Sequence, residues 1–192
     1  MHLPRVIFLA LLPALLTVPV GSLAASETSG GNKRLAVKGL SMDMPIEDAA
    51  KILRLALVGY EMPFPYGGAP TFTEPEANAG GFLVRIGHRK SDTAFPVFFA
   101  FAAISADNAR RVTLIDLSPS VVDFLFAATE MGGEEFARNF LKAYKLGTFK
   151  PMDDSSGWYH VTADGTRVTI TKEKHLRLQK VRSAAEQRSK FN

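Results

Sequence analysis

The sequence predicts an α+β fold in which an antiparallel sheet is packed by helices. Short apolar or alternating segments separated by polar turns recur through the chain, as half-buried strands do. Three other segments repeat their apolar residues at steps of three and four, the mark of helices with one buried face. The order is helix, three strands, helix pair, three strands. That order fits two tandem helix-plus-three-strand units, over residues 41–117 and 118–181, within one α+β domain spanning 35–181.

Taken from the start of that domain, Leu35 to Lys38 is a short strand closed by Gly39. Pro45 suits a helix start, Glu47 and Asp48 place negative charge at its positive end, and Ile46, Ala49, Ala50, Leu53 and Leu57 form one apolar face. The spacing predicts a helix over 45–58, capped by Gly59. Strands are expected at Phe82–Ile86, Phe95–Ile104 and Val112–Leu117, with polar turns at His88–Thr93 and Ser105–Arg110.

Ser118-Pro119 repeats the logic of a helix start, and Val121, Val122, Leu125 and Phe126 give a short helix ending near Thr129. Glu134 to Tyr144 is a further helix with Phe136, Phe140 and Tyr144 on one aromatic face, closed by Gly147. Trp158–Thr162 and Thr166–Thr171 flank Ala163-Asp164-Gly165, a tight-turn signal, and His175–Val181 supplies a last strand.

Composition bounds the rest. The chain has 192 residues, 46% of them hydrophobic and 22% charged, too apolar for a disordered chain and too short for a large multidomain enzyme. It has no cysteine, which excludes disulfides, thiolate metal sites, cysteine nucleophiles and a lipid anchor on an N-terminal cysteine. Residues 1–24 read as a signal peptide. Arg5 gives the positive start, Val6 to Val20 the apolar run, and Ser22-Leu23-Ala24 small residues before cleavage at Ala25. The run is too short and too rich in proline for a spanning helix. Export to a periplasm or to the outside is therefore expected, with 25–34 a flexible polar lead-in and no transmembrane segment after cleavage.

The net charge of +4 is concentrated at one end. Lys172, Lys174, Arg177, Lys180, Arg182, Arg188 and Lys190 face only Glu173 and Glu186, ending in a basic polar tail over 182–192. Such a tail suits an anionic surface, or simply a solvated edge whose cations discourage strand pairing. Nucleic acid fits poorly, since no reader motif is present.

The strand followed by Gly39-Leu40 and then Met44-Pro45-Ile46-Glu47-Asp48-Ala49 resembles the helix-opening motif of two groups. One is the small outer-membrane assembly lipoproteins of the SmpA/OmlA type, the other the secreted β-lactamase inhibitory proteins. The resemblance implies helix pairs packed on an antiparallel sheet and a role in binding other proteins. Asp43 stands where those groups usually carry Gly, and the absent cysteine excludes lipoprotein membership.

Catalytic chemistry leaves little trace. Asp153, Ser155 and His160 are the residue types of a serine hydrolase, but ordinary turn chemistry accounts for them and no Gly-x-Ser-x-Gly surrounds the serine. His88, His160 and His175 are not local neighbours, so no metal site is expected, nor a phosphate loop or other cofactor site. Residues 60–80 are more informative: a Pro/Gly-rich loop carrying Tyr60, Phe64, Tyr66 and Phe72. Aromatics on a stiff loop serve binding surfaces, or else cap the core.

The expectation is an exported, non-enzymatic binding protein of a bacterial-type envelope that contacts a protein or envelope component. Its contacts are Tyr60, Phe64, Tyr66 and Phe72, with Lys180 and Arg182 second. The alternatives are a hydrolase using Asp153, Ser155 and His160, and a small-ligand carrier.

Overall fold

The computed structural model describes residues 34–90 and 97–181. The predicted signal peptide, all of the predicted lead-in but Arg34, and the predicted tail with Arg182 lie outside the described residues.

The described residues open with two short strands, β1 (Ala36–Val37) and β2 (Leu40–Ser41). They pair antiparallel around Lys38 and Gly39, both at positive φ, the backbone that a two-residue hairpin turn demands. α1 (Ile46–Ala56) follows. Pro45 stands just before it rather than inside it, and the Ile46 amide donates to the Arg110 carbonyl at 3.0 Å. The predicted cap at Gly59 falls instead at Leu57, where the last helical hydrogen bonds close.

β3 (Thr71–Phe72) and β4 (Glu76–Asn78) both pair with β5 (Gly81–Lys90). β5 runs four residues beyond the predicted end, taking in His88, Arg89 and Lys90, which the sequence had placed in a turn. β6 (Val97–Ala106) begins after Phe95 and Pro96, which are not described, and continues through Ser105 and Ala106 before the Asp107–Arg110 turn. β7 is Val112–Leu117, as predicted.

α2 (Pro119–Phe126) and α3 (Gly133–Ala143) come next. Ser118 precedes Pro119 as expected, but its hydroxyl lies 3.2 Å from that of Ser120 and caps no backbone amide. α2 ends earlier than Thr129, with Ala127 in the left-handed conformation. α3 ends on Tyr144 and a left-handed Lys145, ahead of Gly147. The remaining strands are β8 (Lys150–Pro151), β9 (Gly157–Val161), β10 (Thr166–Thr171) and β11 (Leu176–Lys180).

The strands from β3 onward form one antiparallel sheet in the order β3-β5-β6-β7-β11-β10-β9-β8, with β4 alongside β5. The β5-β6-β7 meander and the β9-β10-β11 meander therefore meet through β7 and β11. All three helices cover one face. Ile46, Ala49 and Leu53 of α1, Val121 and Val122 of α2, and Phe136 and Phe140 of α3 share a single core with Val84, Ile104, Ile115, Val168, Ile170 and Leu178 of the sheet. Burial of a side chain of this size contributes about 1.5–3 kcal/mol, so this layer dominates the stability. Lys174, in the turn before β11, fastens α2 to the sheet by donating to Asp123 at 2.5 Å and to the Ala128 carbonyl at 2.9 Å.

One irregularity positions the candidate site. The β5–β6 register shifts between Ile86 and Gly87, so that Phe101 has no opposite number. This bulge turns Phe99 and Phe101 toward the same aromatic neighbour, Tyr66. Gly87 permits it: a Cβ there would lie 1.9 Å from the Phe99 carbonyl oxygen, which no side chain tolerates.

Candidate functional site

The loop from Tyr60 to Phe72 splits into anchors and a tip. Tyr60 is 4% exposed, its hydroxyl 2.9 Å from that of Ser120 and its ring edge-on to Phe124 at 5.4 Å. Burial pushes the Tyr60 phenol up, an effect that the hydrogen bond with Ser120 only partly offsets. Tyr66 is half-buried, within 5.2 Å of the His88 and Phe99 rings and 5.4 Å of Phe101. Phe72 is also half-buried, with the Arg54 guanidinium 5.0 Å above its ring.

Phe64 differs from the other three. The Met62 amide donates to the Gly68 carbonyl at 2.9 Å and the Tyr66 amide to the Pro63 carbonyl at 3.0 Å, closing a tight turn. Phe64 stands at its tip, 96% exposed. Of the four aromatics read from sequence, three hold the loop to the body and one projects from it. Composition does not separate these roles, because a loop has no periodicity to mark its inward side.

Phe64 has apolar company that the sequence reading missed. Seven large apolar side chains are exposed among the described residues: Leu55, Val58, Phe64, Val97, Phe99, Phe124 and Val161. All but Val161 lie at one end of the molecule. Leu55 and Val58 sit at the end of α1, Phe124 packs on Tyr60, and Phe99 packs on Tyr66 beside Val97 at the open end of the β5–β6 pair. The available signal was the helical spacing of Leu55 and Val58, which puts them off the face carrying Ile46, Ala49 and Leu53.

Lys180 is elsewhere. It ends β11 opposite Thr166 and pairs with Asp43, near the β6–β7 turn. Gln179 is level with Leu114 and Ser105, so Lys180 lies about 20 Å along the strand direction from the level of Phe99. The loop and the strand that leads into the tail therefore mark opposite ends, and do not form one surface.

The hydrolase residues are not brought together either. Ser155 lies exposed in the β8–β9 turn at positive φ, and its amide donates to the Met152 carbonyl. His160, about 10 Å along β9 from Gly157, has Nδ1 3.1 Å from the Thr148 carbonyl and its ring against Phe149. Among the described residues no hydrogen bond joins Asp153, Ser155 and His160. The acid that holds a serine here is Asp154, which accepts from the Ser156 hydroxyl at 2.6 Å. Hydrogen bonds from the Ser156 side chain and backbone hold its carboxyl below the usual range. Asp153 and Asp154, with Met152, Tyr159 and Arg167, line an open depression of about 400 Å³.

Among the described residues no three metal-ligating side chains converge, and no helix is long and apolar enough to cross a membrane. Comparison with known protein families, curated proteins and solved structures finds no match to this chain.

Proposed function

We propose that this chain is an exported, non-enzymatic binding protein that contacts a component of a bacterial-type envelope through the end of the molecule bearing Phe64. The observation that carries the reading is the gathering of Leu55, Val58, Phe64, Val97, Phe99 and Phe124 at that end. Apolar side chains scattered singly need no explanation, whereas a cluster set around one loop marks a contact surface. The loop is also prepared for contact. Tyr60 and Tyr66 fix its base, so little conformational freedom is lost when the tip engages. The helix-opening resemblance to groups that bind other proteins supports the same reading.

The test is site-specific photo-crosslinking in intact expressing cells, with the crosslinking residue placed at 58, 64 or 161 of the full chain. Adducts of defined mass are expected from positions 58 and 64 and none from 161. The absence of adducts at 58 and 64, or equal labelling from all three positions, rejects the proposal.

A further inference from the structure

Resting on that reading, we infer that the component met by the Phe64 end is an anionic lipid surface. The shape of the site favours a bilayer interface over a grooved partner. Phe64 projects from a closed turn, and Val58 and Leu55 stand beside the loop, 73% and 65% exposed. A convex apolar tip of this kind enters the boundary between headgroups and acyl chains without needing a complementary pocket.

The charges around the tip point the same way. Lys51 and Arg54 lie on α1, four residues and one residue before Leu55. Arg89 and Lys90 end β5, opposite Phe98 and Val97. None of these four forms an ion pair with another described residue, so their charge is not offset within the described part of the molecule. Glu61 and Glu74 are the exposed carboxylates on the adjoining loop. Among the described residues these cations outnumber the two carboxylates, which suits lipid phosphates in the plane of the headgroups. Apolar insertion and cationic attraction are the two weak signals that together hold a protein on a bilayer.

The absence of cysteine makes the test direct, since one introduced thiol is a unique labelling site. The full chain is expressed with its own N-terminus and recovered as the cell processes it. Phe64→Cys, Val58→Cys and Val161→Cys each receive a polarity-sensitive fluorophore. They are mixed with vesicles of phosphatidylcholine alone or of phosphatidylcholine with phosphatidylglycerol. The expected result is a blue shift at 58 and 64 on the anionic vesicles and none at 161. The Arg89→Gln/Lys90→Gln pair should weaken that binding by about tenfold or more at low salt.

No shift at 64 on either vesicle overturns the inference. So does an equal shift at 161, or a shift that follows protein concentration without lipid, which would identify a second copy of the chain as the partner. Circular dichroism of the labelled variants shows that the fold is intact. If the fluorophore is silent on vesicles while position 64 still crosslinks to one protein in cells, the lipid inference fails and the binding reading stands.

Discussion

Arg177 donates to Asp116 at 2.7 Å across the line where the two meanders join. The two residues are directly opposed on β7 and β11, and His175 Nε2 reaches the other carboxylate oxygen at 2.9 Å. Burial pushes the Asp116 carboxyl up, but the close His175 ring and the Arg177 guanidinium outweigh it and hold the group below its ordinary range. A carboxylate whose pKa is lower folded than unfolded adds stability above the unfolded value, and that stability disappears as pH falls through the folded value.

Stability should therefore decline below about pH 4, the unfolded carboxylate range. Asp116→Asn should cost about 1 kcal/mol at neutral pH and make the acid decline shallower. Urea unfolding at pH 7 and pH 3 checks both. An identical acid decline in the variant and the parent would show that this carboxylate does not carry the linkage.

Tyr60→Phe removes only the hydroxyl that meets Ser120 and should cost about 1 kcal/mol in the same assay. Tyr60→Ala also empties a buried site and should cost about 3–5 kcal/mol. Phe64→Ala, at the tip of the same loop, should change stability by no more than about 0.5 kcal/mol. The contrast between Tyr60 and Phe64 tests the division of the loop into anchor and tip.

Gly87→Ala should destabilise by about 2–3 kcal/mol, because the added methyl meets the Phe99 carbonyl and the neighbouring strand must move. A measured loss under about 0.5 kcal/mol would mean that the bulge at Phe101 adjusts freely.

Lys145→Gly should stabilise the protein by about 0.5–1 kcal/mol. Lys145 is exposed and holds a positive φ just after α3, a conformation that glycine adopts without steric cost. A rise in the thermal midpoint is the readout.

The sequence made the regular elements legible wherever a segment was long enough for its period to show. Val112–Leu117, bounded by a polar turn, and Thr166–Thr171, opened by the Asp164-Gly165 turn, matched β7 and β10 to the residue. β2, β3, β4 and β8 have two or three residues each, too few to display a period, and were missed. The far end of β5 was read as a turn because His88, Arg89 and Lys90 are polar, yet pairing with Phe99, Phe98 and Val97 keeps them extended. In the candidate site the aromatic content of the loop was visible, but not which ring faced inward. That depends on Ser120, Phe124, His88, Phe99 and Phe101, partners distant in sequence.

The junction of β7 with β11 has a consequence for any attempt to divide the chain. A cut between Leu117 and Ser118 would leave each fragment with a bare hydrogen-bonding edge lined by Ile115 and Leu117, or by Leu176 and Leu178, all buried in the intact protein. Exposed edges of that kind pair with whatever strand they meet. Separated fragments would therefore be sticky on their own and soluble when mixed, each serving as the other's missing strand.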